Sequence, residues 1–154
     1  MQVQKGQILE LSIEDVAFGG RGLTRVDGLA VFVERTVPGD RARIRITRKK
    51  RNYAEARLEE ILTPSADRVA APCRYSGICG GCTWQFLRYE RQLEYKRQHV
   101  AESLEHIGAI TGVPVHATLP SPALFGYRNK MEFTCTDRRW LLPEEMGQPN
   151  AENG

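Results

Sequence analysis

No run of apolar residues approaches the ~20 that a helix needs to cross a bilayer, and the opening "MQVQKGQILE" lacks the basic-then-apolar pattern of a secretory signal. These two absences place the chain in the cytoplasm, away from the membrane. The sequence also lacks internal repeats and low-complexity tracts, and its net charge of +3 is too small to select a partner by itself. No glycine-rich turn leads from a strand into a helix, as a dinucleotide or cofactor site of that type requires; "AFGGRGL", residues 17–23, sits between strands instead. Cysteine is scarce at 4 residues, and in a reducing compartment such residues read as metal, cluster or catalytic thiols more than as disulfides. What is present is ordinary for a globular chain. A hydrophobic content of 41% and a charged content of 27% over 154 residues suit one domain or two small ones.

From Gly6 to Leu62 short alternating segments are broken by turn signals. "GQILELSIEDVAF" alternates, "GGRG" interrupts it, "LAVFVERTV" resumes, "PGD" turns, and "RARIRIT" and "YAEARLEEIL" follow. Strands of this length and spacing predict a small all-β barrel or sandwich. "LTPSADRVAAPC" reads as a linker. Beyond it, Phe86, Leu93, Val100 and Ile107 recur every seven residues with Leu104 on the same side, which predicts an amphipathic helix capped by Thr83 and stopped at Gly108. In "YRNKMEFTCT" a strand pattern returns, with Tyr127, Asn129, Met131, Phe133 and Cys135 on one face and Arg128, Lys130, Glu132, Thr134 and Thr136 on the other.

The stretch "CRYSGICGGC" brings Cys73, Cys79 and Cys82 within ten positions. A soft metal or iron–sulfur cluster needs thiolates that converge, and a two-residue gap lets neighbours meet it from one turn of backbone. Gly80 and Gly81 tolerate unusual dihedrals and let amide N–H groups approach sulfur. Zinc is the rival occupant, although its knuckles come as pairs of short spacings and only one short pair is present. Three incidental thiols in a loop are the plain alternative. Cys135 shares a predicted strand face with Met131 and Phe133, so it reads as a buried small hydrophobe before it reads as a fourth ligand. His99 and His106 read as solvated helix residues.

"RARIRITRKKR", residues 41–51, carries seven of the 22 basic residues and no acid. Arg41, Arg43 and Arg45 alternate with Ala42, Ile44 and Ile46, so one face carries guanidinium groups while the other packs inward. Arg48, Lys49, Lys50 and Arg51 extend the run beside Tyr53. Arginines next to an aromatic suit phosphate contacts and base stacking, hence RNA; a solubilising or edge-protecting charge row is the competing reading.

Residues 6–62 resemble a TRAM domain, an RNA-binding β-barrel module, through "KGQ", "AFGGRGL", "VPGDRARIRI" and "YAEARLEEIL". Residues 73–110, with C-x5-C-GG-C-x-WQ followed by "YxxQLxxK" and "HIG", resemble the iron–sulfur motif and helix of the S-adenosylmethionine-dependent RNA uracil-C5 methyltransferases. "FGYRNKMEF" is similar to the start of that family's central β domain. The resemblance implies an α+β chain with a TRAM-like barrel over 1–63, the cysteine motif and helix over 64–112 and the start of a β domain over 113–140; the acidic, Pro- and Gly-rich end over 141–154 reads from its composition as a disordered tail. The resemblance also implies a 4Fe–4S cluster on Cys73, Cys79 and Cys82, and a ribosomal RNA partner, 23S more than tRNA. RNA would be held by Arg41, Arg43, Arg45, Arg48, Lys49, Lys50, Arg51, Tyr53, Arg128 and Lys130. The family's nucleophilic cysteine, general base, fourth cluster ligand and S-adenosylmethionine domain lie beyond these residues, so no catalytic residue is assigned and this stretch alone is expected to be inactive. A stand-alone RNA-binding protein with a structural zinc site is the alternative.

Overall fold

A computed structural model describes residues 3–130 and, beyond them, 132, 135, 137, 141 and 145. Six strands come first: β1 (Ile8–Ser12), β2 (Asp15–Val16), β3 (Gly22–Val26), β4 (Leu29–Val33), β5 (Arg41–Lys49) and β6 (Tyr53–Thr63). They form one sheet in the order β1-β5-β6-β4-β3-β2, antiparallel except for β4 with β6. β1 and β2 lie at opposite edges of that order, yet only Ile13 and Glu14 separate them in the chain. The sheet must therefore roll until its edges meet, which makes it a barrel. Near that corner the Ile13 amide donates to the Asp40 carbonyl and the Gly39 amide to the Ile13 carbonyl, both at 2.8 Å.

The alternation in the strands decides which side faces in. Val31 and Val33 on β4, Ala42, Ile44 and Ile46 on β5, and Ala54 and Ala56 on β6 are buried together with Val3 and Ile13. Three of these are alanines, which lets the long β5–β6 pair close on a narrow interior. Three register shifts along that pair bend it further. β3 and β4 are joined by Asp27 and Gly28, both at positive φ (48° and 81°), the two-residue turn that matches strand twist.

The segment read as a linker is anchored on both sides. The Ser65 amide donates to Asp40 Oδ1 at 2.9 Å, and Arg68 Nε and Nη2 donate to Asp40 Oδ1 and Oδ2 at 3.0 and 2.6 Å. The Val69 amide reaches the Phe86 carbonyl, and the Arg88 amide the Asp67 carbonyl, each at 2.9 Å. This path takes up residues 84–88, so helix α1 runs from Tyr89 to Glu102 rather than from Thr83. A π-helical turn, Ser103–Ile107, continues it, and Gly108 ends it as the glycine predicts.

The buried side of α1 differs from the heptad reading. Val100 is 51% exposed and Ile107 85% exposed, whereas Tyr95 and His99 are buried. Tyr95 joins Val16, Val37, Phe86 and Leu87 in a second core, with Trp84 packed against it. His99 is not solvated: its Nε2 lies 2.9 Å from the Val16 carbonyl, and its ring sits 6.0 Å from Trp84 and 5.8 Å from Phe18. Aromatic rings one turn apart offer the barrel more contact area than the aliphatic stripe does, so they take the interface.

Burial raises the Tyr95 phenol pKa, while Arg91 opposes the rise and Asp67 and Asp15 add to it. The fold thus favours neutral tyrosine. Its contribution to stability is complete below the unfolded value of about 10 and is lost as pH rises through the higher folded value. A denaturation series between neutral and strongly alkaline pH is expected to show this loss in step with phenolate absorbance, and Tyr95→Phe is expected to flatten it.

The chain divides into a compact unit ending at Thr118 and a second beginning at Leu119. Barrel, thiol segment and helix belong to the first. In the second unit, residues 119–130 are exposed and form neither strand nor helix. The strand expected over 127–136 therefore has no counterpart at Tyr127–Lys130, and its face residues Met131 and Phe133, with Thr134 and Thr136, lie outside the described residues, as does most of the tail over 141–154. No helix among the described residues is long and apolar enough to cross a membrane.

Candidate nucleic-acid interface and thiol segment

Arg41, Arg43 and Arg45 project outward from β5, as their alternation with buried Ala42, Ile44 and Ile46 requires. They are not a bare cationic row. Register sets Glu10 of β1 beside Arg43 on one flank and Glu60 of β6 on the other. Arg43 Nη2 meets Glu10 Oε1 at 2.9 Å and Arg43 Nη1 meets Glu60 Oε2 at 2.5 Å. Arg45 and Arg57 share Glu59 Oε1 at 2.8 and 2.9 Å, and Arg41 lies 3.5 Å from Glu10. The hydrogen bond that Arg43 donates to Glu10 and the charge of Glu60 raise the Arg43 pKa, and hydrogen bonds from Arg45 and Arg57 hold the Glu59 carboxyl below its ordinary value. The acids absent from residues 41–51 are supplied by the neighbouring strands.

The other end of the β5–β6 pair differs. Arg48 keeps only a 3.9 Å approach to Glu55, which Arg21 contacts at 3.2 Å. Lys49, Lys50 and Arg51 at the hairpin tip are exposed. Among the described residues no carboxylate pairs with them. The Lys50 amide donates to the Tyr53 carbonyl at 2.8 Å and closes the turn. Tyr53 stands edge-on to Phe32, with ring centroids 5.8 Å apart, and the Arg21 guanidinium lies over Phe32 at 4.9 Å. Phe32 and Arg21 were not singled out in the sequence; the signal available was Phe32 at the outward position between inward Val31 and Val33. Arg128 and Lys130 are exposed residues of the second unit, outside any strand.

The thiols occupy a loop of successive turns. The Ser76 amide donates to the Cys73 carbonyl at 3.0 Å, and the Ile78 and Cys79 amides to the Tyr75 carbonyl at 3.0 and 2.9 Å. Gln85 Oε1 accepts from the Cys73 amide at 3.2 Å. A side-chain carbon at Gly81 would stand 3.4 Å from Cys79 Sγ, an ordinary contact distance. Cys73 and Cys82 are exposed and Cys79 is half-buried. In donor type the three suit a soft metal or an iron–sulfur cluster. In placement they do not: no three His, Cys, Asp or Glu among the described residues are grouped to hold a metal ion. Cys135 is exposed rather than buried as the strand reading expects.

The thiol segment packs against the barrel at defined points. Trp84 Nε1 donates to the Gly20 carbonyl at 3.0 Å. The backbone at Gly77 approaches Arg35 so closely that a side chain there would lie 2.7 Å from Arg35 Cδ. Arg68 stacks over Phe86 at 5.0 Å while holding Asp40.

Comparison with known proteins finds a TRAM domain over residues 2–58. A protein of Synechocystis is 44% identical over 130 residues, covering 84% of this chain and 28% of its own length. One from Porphyromonas gingivalis is 38% identical over 92% of this chain and 30% of its own length. One from Chlorobaculum tepidum is 41% identical over 95% of this chain and 31% of its own length. All three carry the name uncharacterized RNA methyltransferase. The chain thus spans less than a third of the curated relatives it matches.

Proposed function

We propose that this chain, whose residues 2–58 match the TRAM domain, is the RNA-binding N-terminal part of a cytoplasmic RNA methyltransferase, of the S-adenosylmethionine-dependent uracil-C5 type acting on ribosomal RNA. One observation carries the reading: proteins named RNA methyltransferases match across both the barrel and the thiol segment, not across the barrel alone. The barrel's outward cations supply a grip for the phosphate backbone. Such contacts position RNA but carry no sequence information, so the target uridine is chosen elsewhere.

In this reading Cys73, Cys79 and Cys82 provide three ligands of a 4Fe–4S cluster, which braces the loop beside the helix. Their spacing and flanking glycines support it. Since the thiols do not converge as the loop stands, cluster binding would be coupled to local reordering, as metal binding commonly is. The residues of this chain perform no methyl transfer by themselves.

Two measurements test this. Anaerobic reconstitution is expected to yield a brown protein with about four irons per chain, and Cys79→Ser is expected to abolish the colour. Stoichiometric colourless zinc in its place refutes the cluster. A labelled single-stranded RNA is expected to bind with an affinity that falls as salt rises; absence of binding at low salt refutes the RNA reading.

A further inference from the structure

We infer that single-stranded RNA engages the Phe32–Tyr53 aromatic pair and the Lys49–Arg51 hairpin tip, and that the arginine row at the centre of β5 is mainly a cross-strand brace. This rests on the RNA-binding reading above and locates its surface.

The argument begins with charge. Along the middle of the sheet, Arg41, Arg43, Arg45 and Arg57 stand against Glu10, Glu59 and Glu60. A phosphate arriving there competes with carboxylates already bonded to the guanidinium groups and is repelled by them. At the hairpin end Glu55 contacts Arg21 and Arg48, and among the described residues no carboxylate pairs with Lys49, Lys50 or Arg51. Net positive potential therefore concentrates at the tip, although the sequence spreads its basic residues over the whole strand.

The aromatic pair lies beside that potential. Register sets Ala30 opposite Tyr53 and Phe32 opposite Glu55 across the parallel β4–β6 pair. The two rings are thus diagonal neighbours, and the residue facing Tyr53 is small. Both rings are half-buried, so their positions are held by the sheet while part of each stays open. Arg21 over Phe32 adds a planar cation to the same surface. Aromatic rings flanked by cations take unstacked bases and backbone phosphates together, which a duplex with its bases stacked inside cannot offer. The partner is accordingly a single strand.

The test is a titration of the full chain with a labelled uridine-rich single strand and with a duplex of equal length, repeated across a salt series. Phe32→Leu with Tyr53→Leu is expected to weaken single-strand binding at least about tenfold with the salt slope unchanged. Lys49→Ala, Lys50→Ala and Arg51→Ala together are expected to flatten the slope by about two units. Arg43→Ala and Arg45→Ala, combined with Glu59→Gln and Glu60→Gln so that the net charge is kept, are expected to stay within about twofold of the parent, because the paired row makes little phosphate contact. Tyr53→Phe keeps the ring and is expected to bind as the parent does, and a circular dichroism spectrum and urea midpoint of the double leucine variant guard against loss of its fold. Unchanged binding by that leucine variant, or duplex binding as tight as single-strand binding, overturns the inference while leaving RNA binding intact. Failure of the parent chain to bind any RNA overturns both.

Discussion

Replacing Asp40 with alanine is expected to destabilise the first unit by about 3–5 kcal/mol, the range for removing one partner of a buried ion pair. The Asp40 side chain is 0% exposed. Its Oδ2 accepts from the Val37 amide at 2.8 Å and from Arg68 Nη2, and its Oδ1 accepts from the Ser65 amide and from Arg68 Nε. Alanine would leave two amides short of an acceptor and a largely buried guanidinium without its counter-charge. The effect reaches beyond the turn, because Arg68 also donates to the Arg35 carbonyl and stacks on Phe86 of the second core. Asp40→Asn keeps much of the shape and one good acceptor, so it is expected to lose roughly half as much. Urea unfolding followed by circular dichroism measures both. A loss below about 1 kcal/mol for the alanine variant would mean that solvent readily replaces these bonds.

Gly20→Ala carries the second large effect. Gly20 has φ +89°, and a side chain there would lie 2.3 Å from Thr83 Cγ2 and 2.5 Å from Trp84 Nε1. Left-handed strain of about 1–2 kcal/mol adds to overpacking of about 1–3 kcal/mol, so a total of about 2–5 kcal/mol is expected. The same change should displace Trp84, whose indole N–H donates to the Gly20 carbonyl, and shift its fluorescence toward that of solvated indole. Gly28→Ala is the control: φ is also positive, at +81°, but nothing stands within 4 Å of the added carbon. It should show the backbone strain alone. Equal losses for the two variants would remove the packing argument and leave Gly20 as an ordinary turn glycine.

These two residues also mark where reading the chain by itself stopped. "PGD" and "GGRG" were legible as turns, because glycine, proline and aspartate act on the backbone locally. That Asp40 would be the counter-ion of Arg68, or that Gly20 would be a seat for Trp84, depends on contacts between distant positions. The same division holds in the helix. Its termination at Gly108 is a local matter, whereas its buried side was settled by the barrel it met, which took Tyr95 and His99 in preference to Val100 and Ile107. The thiol trio is readable as a donor set, but thiols that are neighbours in sequence need not be gathered in space.

By itself the sequence determined the barrel strands, the inward and outward sides of β5 and the chemical character of the cysteine loop, since alternation, turn residues and donor type are properties of short stretches. Only the tertiary structure decided which arginines meet carboxylates, because Glu10, Glu59 and Glu60 reach β5 through strand register and not through proximity in the chain. Electrostatics follows distance in space, so a row that is purely basic along the chain becomes nearly balanced once its neighbouring strands lie beside it.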